Sequence, residues 1–271
     1  VEENPLQGIK NNVISTSVVC NASYKSNVEN FCLISTDKAV RPTNVMGASK
    51  RLAELIVQSY AHLESSKGEE DNYLPKTTFS MVRFGNVLDS SGSVIPRFRQ
   101  QIKDRSPITL TNRDITRFFM TIEEAAELVI QAGAMANGGD VFVLDMGEQV
   151  KIYDLAIKMI QLSGLKLKDK NNPYGDIEIT ITGLRPGEKL FEELLIGNNP
   201  LATVHPKIFR AQEAFIDWKE LEIDIKRLEQ LIIENDHEQI LILLKKLVSG
   251  YCPSQNIVDW IFNEKRKTNQ K

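Results

Sequence analysis

The sequence has little of what marks several classes of protein. Its three cysteines, Cys20, Cys32 and Cys252, are odd in number and show no paired spacing, which argues against a disulfide framework and a zinc site. Lys plus Arg total 33 against 36 Asp plus Glu, with no long basic run, so nothing favours nucleic-acid binding. No apolar stretch is long enough to span a bilayer. We therefore expect a soluble, cytoplasmic protein with reduced thiols, no metal site and no membrane segment.

A further absence concerns glycine. Neither G-x-x-G-x-x-G nor G-x-G-x-x-G occurs in the 271 residues, although a Rossmann-type dinucleotide fold begins with such a turn between its first strand and helix. A βαβ unit takes about 30 residues. We therefore expect the glycine-rich βαβ unit to lie outside this chain, with on the order of 100 residues of cofactor-binding sheet upstream.

The pattern that is present indicates an α/β fold. A helix is predicted from about 7 to 22, strands at FCLIS (31–35) and FSMVRF (79–84), and a helix at 48–63 with apolar residues at helical spacing. The two strands deliver Ser35-Thr36-Asp37-Lys38 and Gly85-Asn86 to one edge of a parallel sheet. Ligands bind at that edge in open α/β sheets.

The later part of the chain predicts a smaller substrate-binding region and a helical end. Its predicted strands are 141–146 and 176–182, and its predicted helices are 122–136, 152–163, 217–234, 236–249 and one after a Pro186-Gly187 turn within 183–195. The fold class is thus the C-terminal part of a Rossmann-type doubly wound sheet with a smaller α/β region and C-terminal helices. Three consecutive regions are predicted: 1–121 cofactor-binding and catalytic, 122–212 UDP-sugar-binding, and 213–271 helical.

Four long motifs carry a family resemblance: STDKAVRPTNVMGASKR (35–51), RFGNVLDSSGSVIPRF (83–98), FVLDMGEQVKIYDLA (142–156) and TGLRPGEKLFEELL (182–195). Together they resemble the CapD-like polysaccharide biosynthesis proteins, extended short-chain dehydrogenases that act as UDP-N-acetylglucosamine 4,6-dehydratases. The resemblance implies NAD- or NADP-dependent dehydration of a UDP-sugar for capsule, O-antigen or glycan synthesis. Larger members carry an N-terminal membrane region, which would place a full-length form at the cytoplasmic face of the inner membrane. We also expect a homo-oligomer.

The resemblance implies a catalytic role for Lys50, which matches the lysine that binds the nicotinamide ribose. Met46 stands where related dehydrogenases have a catalytic tyrosine, and some larger family members also have methionine there. A thioether has no ionisable hydrogen, so acid and base chemistry must come from other residues. The structural alternative for Lys50 is a surface pair with Glu54 one turn later.

The residues after the first strand match the remaining catalytic groups. By resemblance, Asp37 protonates the departing C6 hydroxyl, Lys38 removes the C5 proton, and Thr36 hydrogen-bonds the C4 oxygen. Ser35 belongs to the same cofactor-facing segment. The alternative for this segment is a turn and helix cap, where Ser, Thr and Asp are common. Asp37, Lys38 through a water, and Lys50 remain open as the base for the C4 hydroxyl.

The remaining predicted site residues come from the other motifs. Asn86 and Val87 match positions near the nicotinamide and the sugar nucleotide, although a simple Gly-Asn turn is the alternative. Arg185 and Glu188 resemble a UDP-binding pair, since arginine binds a diphosphate bidentately and glutamate suits ribose hydroxyls. The other candidates are Arg97 and Arg117 as phosphate contacts or exposed salt-bridge partners, Asn12 as support for the active site, and His205 as a structural residue.

The sequence therefore predicts a UDP-N-acetylhexosamine 4,6-dehydratase lacking its dinucleotide-binding turn. Two alternatives remain open. One is a UDP-sugar epimerase of the same superfamily, against which Met46 and the Asp37-Lys38 pair argue. The other is a truncated sugar-nucleotide-binding protein without catalysis, which the missing glycine-rich turn favours.

Overall fold

The computed structural model describes residues 1–66, 76–90, 92–185, 187–193 and 200–253. The helices in this part are α1 Pro5–Ile9, α2 Ser15–Lys25, α3 Val45–Ser65, α4 Val94–Lys103, α5 Ile122–Ala134, α6 Ile152–Leu162, α7 Trp218–Glu234 and α8 His237–Leu247. The strands are β1 Asn30–Thr36, β2 Thr78–Phe84, β3 Asn86–Val87, β4 Ile108–Leu110, β5 Thr116–Arg117, β6 Phe119–Met120, β7 Asp140–Leu144, β8 Val150–Lys151, β9 Leu167–Lys168, β10 Ile177–Ile181, β11 Leu201–Ala202 and β12 Ile208–Ala211.

Contacts divide the chain into two compact units that interleave along the sequence. The first unit comprises Val1–Phe84, Leu128–Asp145 and Glu193–Lys271, and the second comprises Gly85–Glu127 and Met146–Glu192. This division differs from the three consecutive regions predicted from the sequence, whose functional boundaries stay a prediction.

The first unit contains a five-stranded sheet in the order β1-β2-β7-β12-β11. Strands β1, β2 and β7 are parallel, and β12 runs antiparallel to both β7 and β11. The ends of β1 and β2 meet as predicted, because Thr36 pairs with Phe84 in the register of the two strands. The predicted α/β class is confirmed, and the sheet places the end of β1 beside the end of β2.

Helix α3 is the most extensively buried helix of the first unit. Leu52 and Ile56 are fully buried in one apolar core with Phe79 of β2, Leu228 of α7 and Leu244 of α8. The buried apolar residues of α7 and α8 therefore belong to the core. This packing fixes the position of α3, the helix that carries Lys50, the predicted catalytic lysine.

The second unit has its own small sheets and its own core. Strand β10 lies between β4 and β9 and is parallel to both, β3 pairs with β6, and β5 pairs with β8. The core includes Phe98 of α4, Ile108 of β4, Ile160 of α6 and Ile177 of β10, all at 1% exposure or less.

The helix predicted after the Pro186-Gly187 turn is wrong for the part that the structure describes. Residues 187–193 are not helical, and Pro186 and 194–199 lie outside the described residues. The carbonyl oxygens of this segment accept hydrogen bonds from side chains and backbone elsewhere: Leu190 from the Thr116 amide at 3.2 Å, and Glu192 from Gln149 at 3.2 Å. These contacts hold the segment against β5 instead of forming a helix.

Candidate functional site

Thr36, Asp37 and Lys38 form one hydrogen-bonded group at the end of β1, here called the Thr36 cluster. Asp37 is only 1% exposed as a residue, and its Oδ1 accepts from Thr36 Oγ1 at 2.7 Å and from Lys38 Nζ at 2.9 Å. The Lys38 side chain stays 31% exposed. A buried carboxylate in contact with an amine that reaches solvent is an arrangement that can exchange a proton.

The same residues also form a local cap. Thr36 precedes a 3-10 turn, Asp37–Ala39, and its hydroxyl accepts from the Lys38 amide at 3.4 Å. The turn predicted as the structural alternative is therefore present, and it orients the side chains of the Thr36 cluster.

Met46 and Lys50 lie one turn apart near the start of α3, and the helix start is heavily capped. Asn44 accepts from the Gly47 amide at 2.8 Å, while the Glu2 carboxylate accepts from the Met46 amide at 2.9 Å and from the Val45 amide. Because residues four apart share one face of a helix, Met46 and Lys50 point in the same direction. These caps fix where that face begins.

The Lys50 amine lies in a partly buried environment. Burial lowers the pKa of Lys50 below its ordinary value, and the charge of Glu54 opposes this change. Within the described residues Lys50 makes no hydrogen bond or ion pair. The surface pair with Glu54 that was the structural alternative does not form, since the Glu54 carboxylate accepts from Arg51, Arg83 and Ser35.

Asn12 lies in a π-helical turn, Lys10–Ile14, between α1 and α2. Its Nδ2 donates to Ser49 Oγ at 2.9 Å, and Ser49 Oγ donates to the Met46 carbonyl at 2.8 Å. Such π-helical turns are rare in proteins, and those that occur are often found at functional sites. Asn12 therefore contacts α3 at the residue before Lys50, and Ser49 is a partner that sequence reasoning missed.

In the second unit, Arg117 and Glu188 bind each other. Arg117 Nη2 lies 3.2 Å from Glu188 Oε1 and its Nε 3.1 Å from Glu192, with the arginine side chain 12% exposed. The other Glu188 oxygen accepts from the Arg185 amide at 3.0 Å. Arg117 is thus a largely but not fully buried ion-pair partner that holds the Arg185–Glu188 turn, in place of the exposed one considered as an alternative.

The other predicted residues of the second unit are more open. The Arg185 guanidinium contacts no acceptor in the described part of the chain. Arg97 is exposed and donates to Thr109 Oγ1 at 2.5 Å. Asn86 and Val87 form β3, with the Asn86 amide bonded to the Phe118 carbonyl at 3.2 Å. Asn86 thus begins a short strand directly after Gly85.

The sequence reasoning missed the partners of Ser35. Its hydroxyl donates to Glu54 at 2.6 Å, and Glu54 also accepts from Arg83 Nε at 2.7 Å. Arg83 is fully buried. An arginine inside the apolar strand FSMVRF is the signal that could have indicated a buried acidic partner. A cofactor contact of Ser35 stays a prediction.

The described residues contain neither a candidate metal site nor a candidate membrane-spanning helix. No group of three or more His, Cys, Asp or Glu side chains there is arranged to hold a metal ion. None of the helices in that part combines the length and apolarity of a bilayer span. His205 accepts from the Lys207 amide through Nδ1 at 3.2 Å, which agrees with a structural role.

The chain is similar in sequence to several known proteins. The chain is 50% identical over 217 residues to the capsular polysaccharide biosynthesis protein CapD of Staphylococcus aureus, covering 78% of the chain and 33% of that protein. It is 48% identical over 219 residues to a probable polysaccharide biosynthesis protein, EpsC, of Bacillus subtilis, covering 80% and 34%. A UDP-glucose 4-epimerase of Rickettsia rickettsii is 36% identical over 191 residues, covering 70% and 50%. The chain thus spans about a third of the length of the first two relatives and half of the third.

Solved structures and a family model agree with this. The X-ray structure of Pen from Bacillus thuringiensis is 34% identical, with a TM-score of 0.60, covering 80% of this chain and 67% of that one. A dTDP-glucose 4,6-dehydratase from Bacillus anthracis in complex with NAD shares the fold at 15% identity, with a TM-score of 0.52, covering 88% and 71%. The family model described as "Polysaccharide biosynthesis protein" matches residues 1–213, so the chain belongs to this family of extended short-chain dehydrogenases, as its four motifs predicted.

Proposed function

We propose that this chain carries the catalytic and substrate-binding residues of a nucleotide-sugar 4,6-dehydratase. Its substrate would be UDP-N-acetylglucosamine or a similar UDP-N-acetylhexosamine, converted to the 4-keto-6-deoxy sugar for a surface polysaccharide. The observation that carries the proposal is the Thr36 cluster, with a buried acid and a partly exposed amine 2.9 Å apart. The family and the 4-epimerase relative support a sugar nucleotide as substrate.

In this proposal the Thr36 cluster performs the elimination. Lys38 removes the proton from C5, Asp37 donates a proton to the departing C6 hydroxyl, and one water leaves. Thr36 donates to the C4 oxygen, which favours the ketone that makes the C5 proton acidic. Lys38 returns its proton to C5 when the hydride reaches C6, and the proton released from the C4 hydroxyl restores Asp37, which shares a hydrogen bond with Lys38.

NAD or NADP would accept a hydride from C4 and return it to C6. Lys50 fits the nicotinamide ribose, because its amine is left without an ion pair within the described residues. Asn86 and Val87 are the further proposed contacts. Met46 takes no part in proton transfer. Asp37, Lys38 through a water, and Lys50 remain the three candidates for the C4 hydroxyl proton.

Substrate binding is proposed for the second unit. The Arg185 guanidinium is the candidate for the diphosphate, since it contacts no acceptor in the described part of the chain. Glu188 is the candidate for the ribose hydroxyls, and Arg97 and Asn86 are further contacts. Arg117 contributes by holding Glu188. We also propose cytoplasmic action, which agrees with three free cysteines, and a homo-oligomer.

A second candidate is a UDP-sugar 4-epimerase, which the Rickettsia relative favours. Such an enzyme forms the same C4 ketone but loses no water. The presence of an acid next to a base in the Thr36 cluster favours dehydration, since an epimerase has no hydroxyl to expel.

The test is incubation of the chain with UDP-N-acetylglucosamine and NAD or NADP, followed by mass spectrometry. We expect loss of one water from the sugar nucleotide, and no such product from Lys38→Ala. Lys166→Ala, at an exposed lysine of the second unit, is the control and should retain activity. A C4 epimer of unchanged mass would support the epimerase. Binding of the UDP-sugar without any product would support a non-catalytic chain.

A further inference from the structure

Four charged side chains of the first unit form a buried network, here called the arginine–glutamate network: Arg51, Glu54, Arg83 and Glu213. Arg83 and Glu54 have fully buried side chains, and those of Arg51 and Glu213 are 9% and 4% exposed. Two positive and two negative charges balance formally. The network lies among elements that surround the predicted catalytic residues but includes none of them.

The Glu54 carboxylate is the most heavily bonded member. Its Oε1 accepts from Ser35 Oγ at 2.6 Å and Arg83 Nε at 2.7 Å, and its Oε2 accepts from Arg83 Nη2 at 2.5 Å and Arg51 Nη1 at 3.1 Å. Burial alone would raise the pKa of Glu54, but the charge and hydrogen bonds of Arg83 lower it, followed by those of Arg51 and Ser35. Glu54 is therefore an anion with its acceptor sites occupied.

Arg83 is bound on two sides. It also donates to both oxygens of Glu213, with Nη2 at 2.8 Å from Oε2. Arg51 reaches Glu213 at 3.0 Å and the Ala214 carbonyl at 2.9 Å. In the sheet register Arg83 pairs with Ser35, the residue before the Thr36 cluster.

A network of this kind is a poor way to stabilise a core. Removing charges from water has a cost that their attraction only partly offsets, and well-packed apolar residues often stabilise as much or more. Stability alone therefore does not explain the arginine–glutamate network. Its position indicates an effect on Lys50, because Glu54 lies one helical turn after Lys50 and would otherwise be the acidic partner of that lysine.

We propose that Arg83 is a positioning residue which, with Arg51 and Ser35, occupies the Glu54 carboxylate and so keeps the Lys50 amine without an acidic partner among the described residues. The significance for catalysis rests on the proposed function, in which this amine binds the nicotinamide ribose. The occupation of Glu54 itself does not depend on that function.

The experiment measures the reactivity of the Lys50 amine directly. The purified chain is treated with trace acetic anhydride at pH 8, and acetylation of Lys50 relative to the exposed Lys166 is read by peptide mass spectrometry. In Arg83→Met the released carboxylate holds Lys50 protonated, and we expect its labelling to fall about three- to tenfold, the change that a pKa rise of about half to one unit produces. In Arg83→Met/Glu54→Leu the Glu54 carboxylate is gone and Glu213 keeps its pair with Arg51, so labelling returns to the wild-type level or above.

This recovery separates positioning from a merely structural role. If the network only stabilises the fold, Lys50 labelling follows stability and does not recover selectively when Glu54 is also removed. Asp140→Asn, which breaks the Asp140–Arg210 ion pair elsewhere in the same sheet, is the control and should leave Lys50 labelling unchanged.

A milder variant keeps the test open if Arg83→Met does not fold. Arg83→Lys retains a cation that cannot bind both carboxylates bidentately, so its Lys50 labelling should fall between wild type and Arg83→Met. Equal labelling in wild type and in the folded Arg83 variants would overturn the proposal. Absence of dehydratase product from the wild-type chain would overturn only the proposed function, since the labelling needs no turnover.

Discussion

Gly47 lies where α3 approaches the backbone of Lys38 closely. A Cβ atom at this position would lie 2.2 Å from the Lys38 carbonyl oxygen and 3.0 Å from Pro42 Cβ. Carbon and oxygen atoms that are not bonded do not approach so closely, and the obstructing atom is backbone. Glycine is therefore required here for a close approach, and the position of Lys38 depends on it.

Gly47→Ala should displace the turn that carries Asp37 and Lys38. We expect a loss of stability of about 1–3 kcal/mol, typical of overpacking, together with a drop in dehydratase activity larger than the stability loss explains. Urea unfolding and the mass assay measure the two effects.

The matched control is Gly133→Ala in α5, where a Cβ meets nothing within 4 Å. Alanine favours helix over glycine by about 0.5–1 kcal/mol, so this variant should be as stable as wild type or more so. If both variants behave alike, the close approach at Gly47 does not govern the turn.

At the scale of the element, α7 contributes to the same core as α3. Leu228 is fully buried, whereas Ile223 on the same helix is 69% exposed. The two residues lie in the same helix but differ in burial. Substitutions at the two positions therefore distinguish the contribution of core packing from that of helix formation.

Leu228→Ala should destabilise the chain by about 2–5 kcal/mol, because it removes buried apolar atoms and leaves a cavity. Ile223→Ala should change stability by about 0.5 kcal/mol or less. Urea unfolding followed by circular dichroism checks both. Comparable losses at the two positions would mean that α7 does not pack as described.

Local periodicity explains which elements were predictable from the sequence. Strands β1 and β2 and helix α3 have apolar patterns of their own, so the meeting of Thr36 and Phe84 followed from the sequence. The contacts of Arg83 did not, since Glu54 and Glu213 lie 29 and 130 residues away. The local sequence of 187–193 predicts a helix, but its hydrogen-bond partners Thr116 and Gln149 lie far away in the sequence. Only the fold brings them to this segment.

At the scale of the whole molecule, the buried ionisable groups limit stability at both ends of the pH range. Burial raises the pKa of the Cys20 thiol from 9.0 to about 12, and burial followed by the charge of Glu2 raises that of Tyr251 from 10.0 to about 12. Tyr60 is raised by burial, then by Cys20, Glu222 and Tyr24. At the acid end, the lowered pKa of Glu54 gives stability that is present above its ordinary value and lost as pH falls through the folded value.

The alkaline limit gives a prediction with a defined sign. Above about pH 9 the unfolded chain loses the Cys20 proton while the folded chain keeps it, so ionisation favours unfolding and stability falls as pH rises toward 12. At pH 10 Cys20 alone should cost on the order of 1 kcal/mol. Urea unfolding at pH 7, 9 and 10 should show this decline, and Cys20→Ala should make it shallower. Cys252→Ala, at an exposed cysteine, should leave the slope as in wild type. An unchanged slope in Cys20→Ala would show that the thiol is not buried as the structure describes.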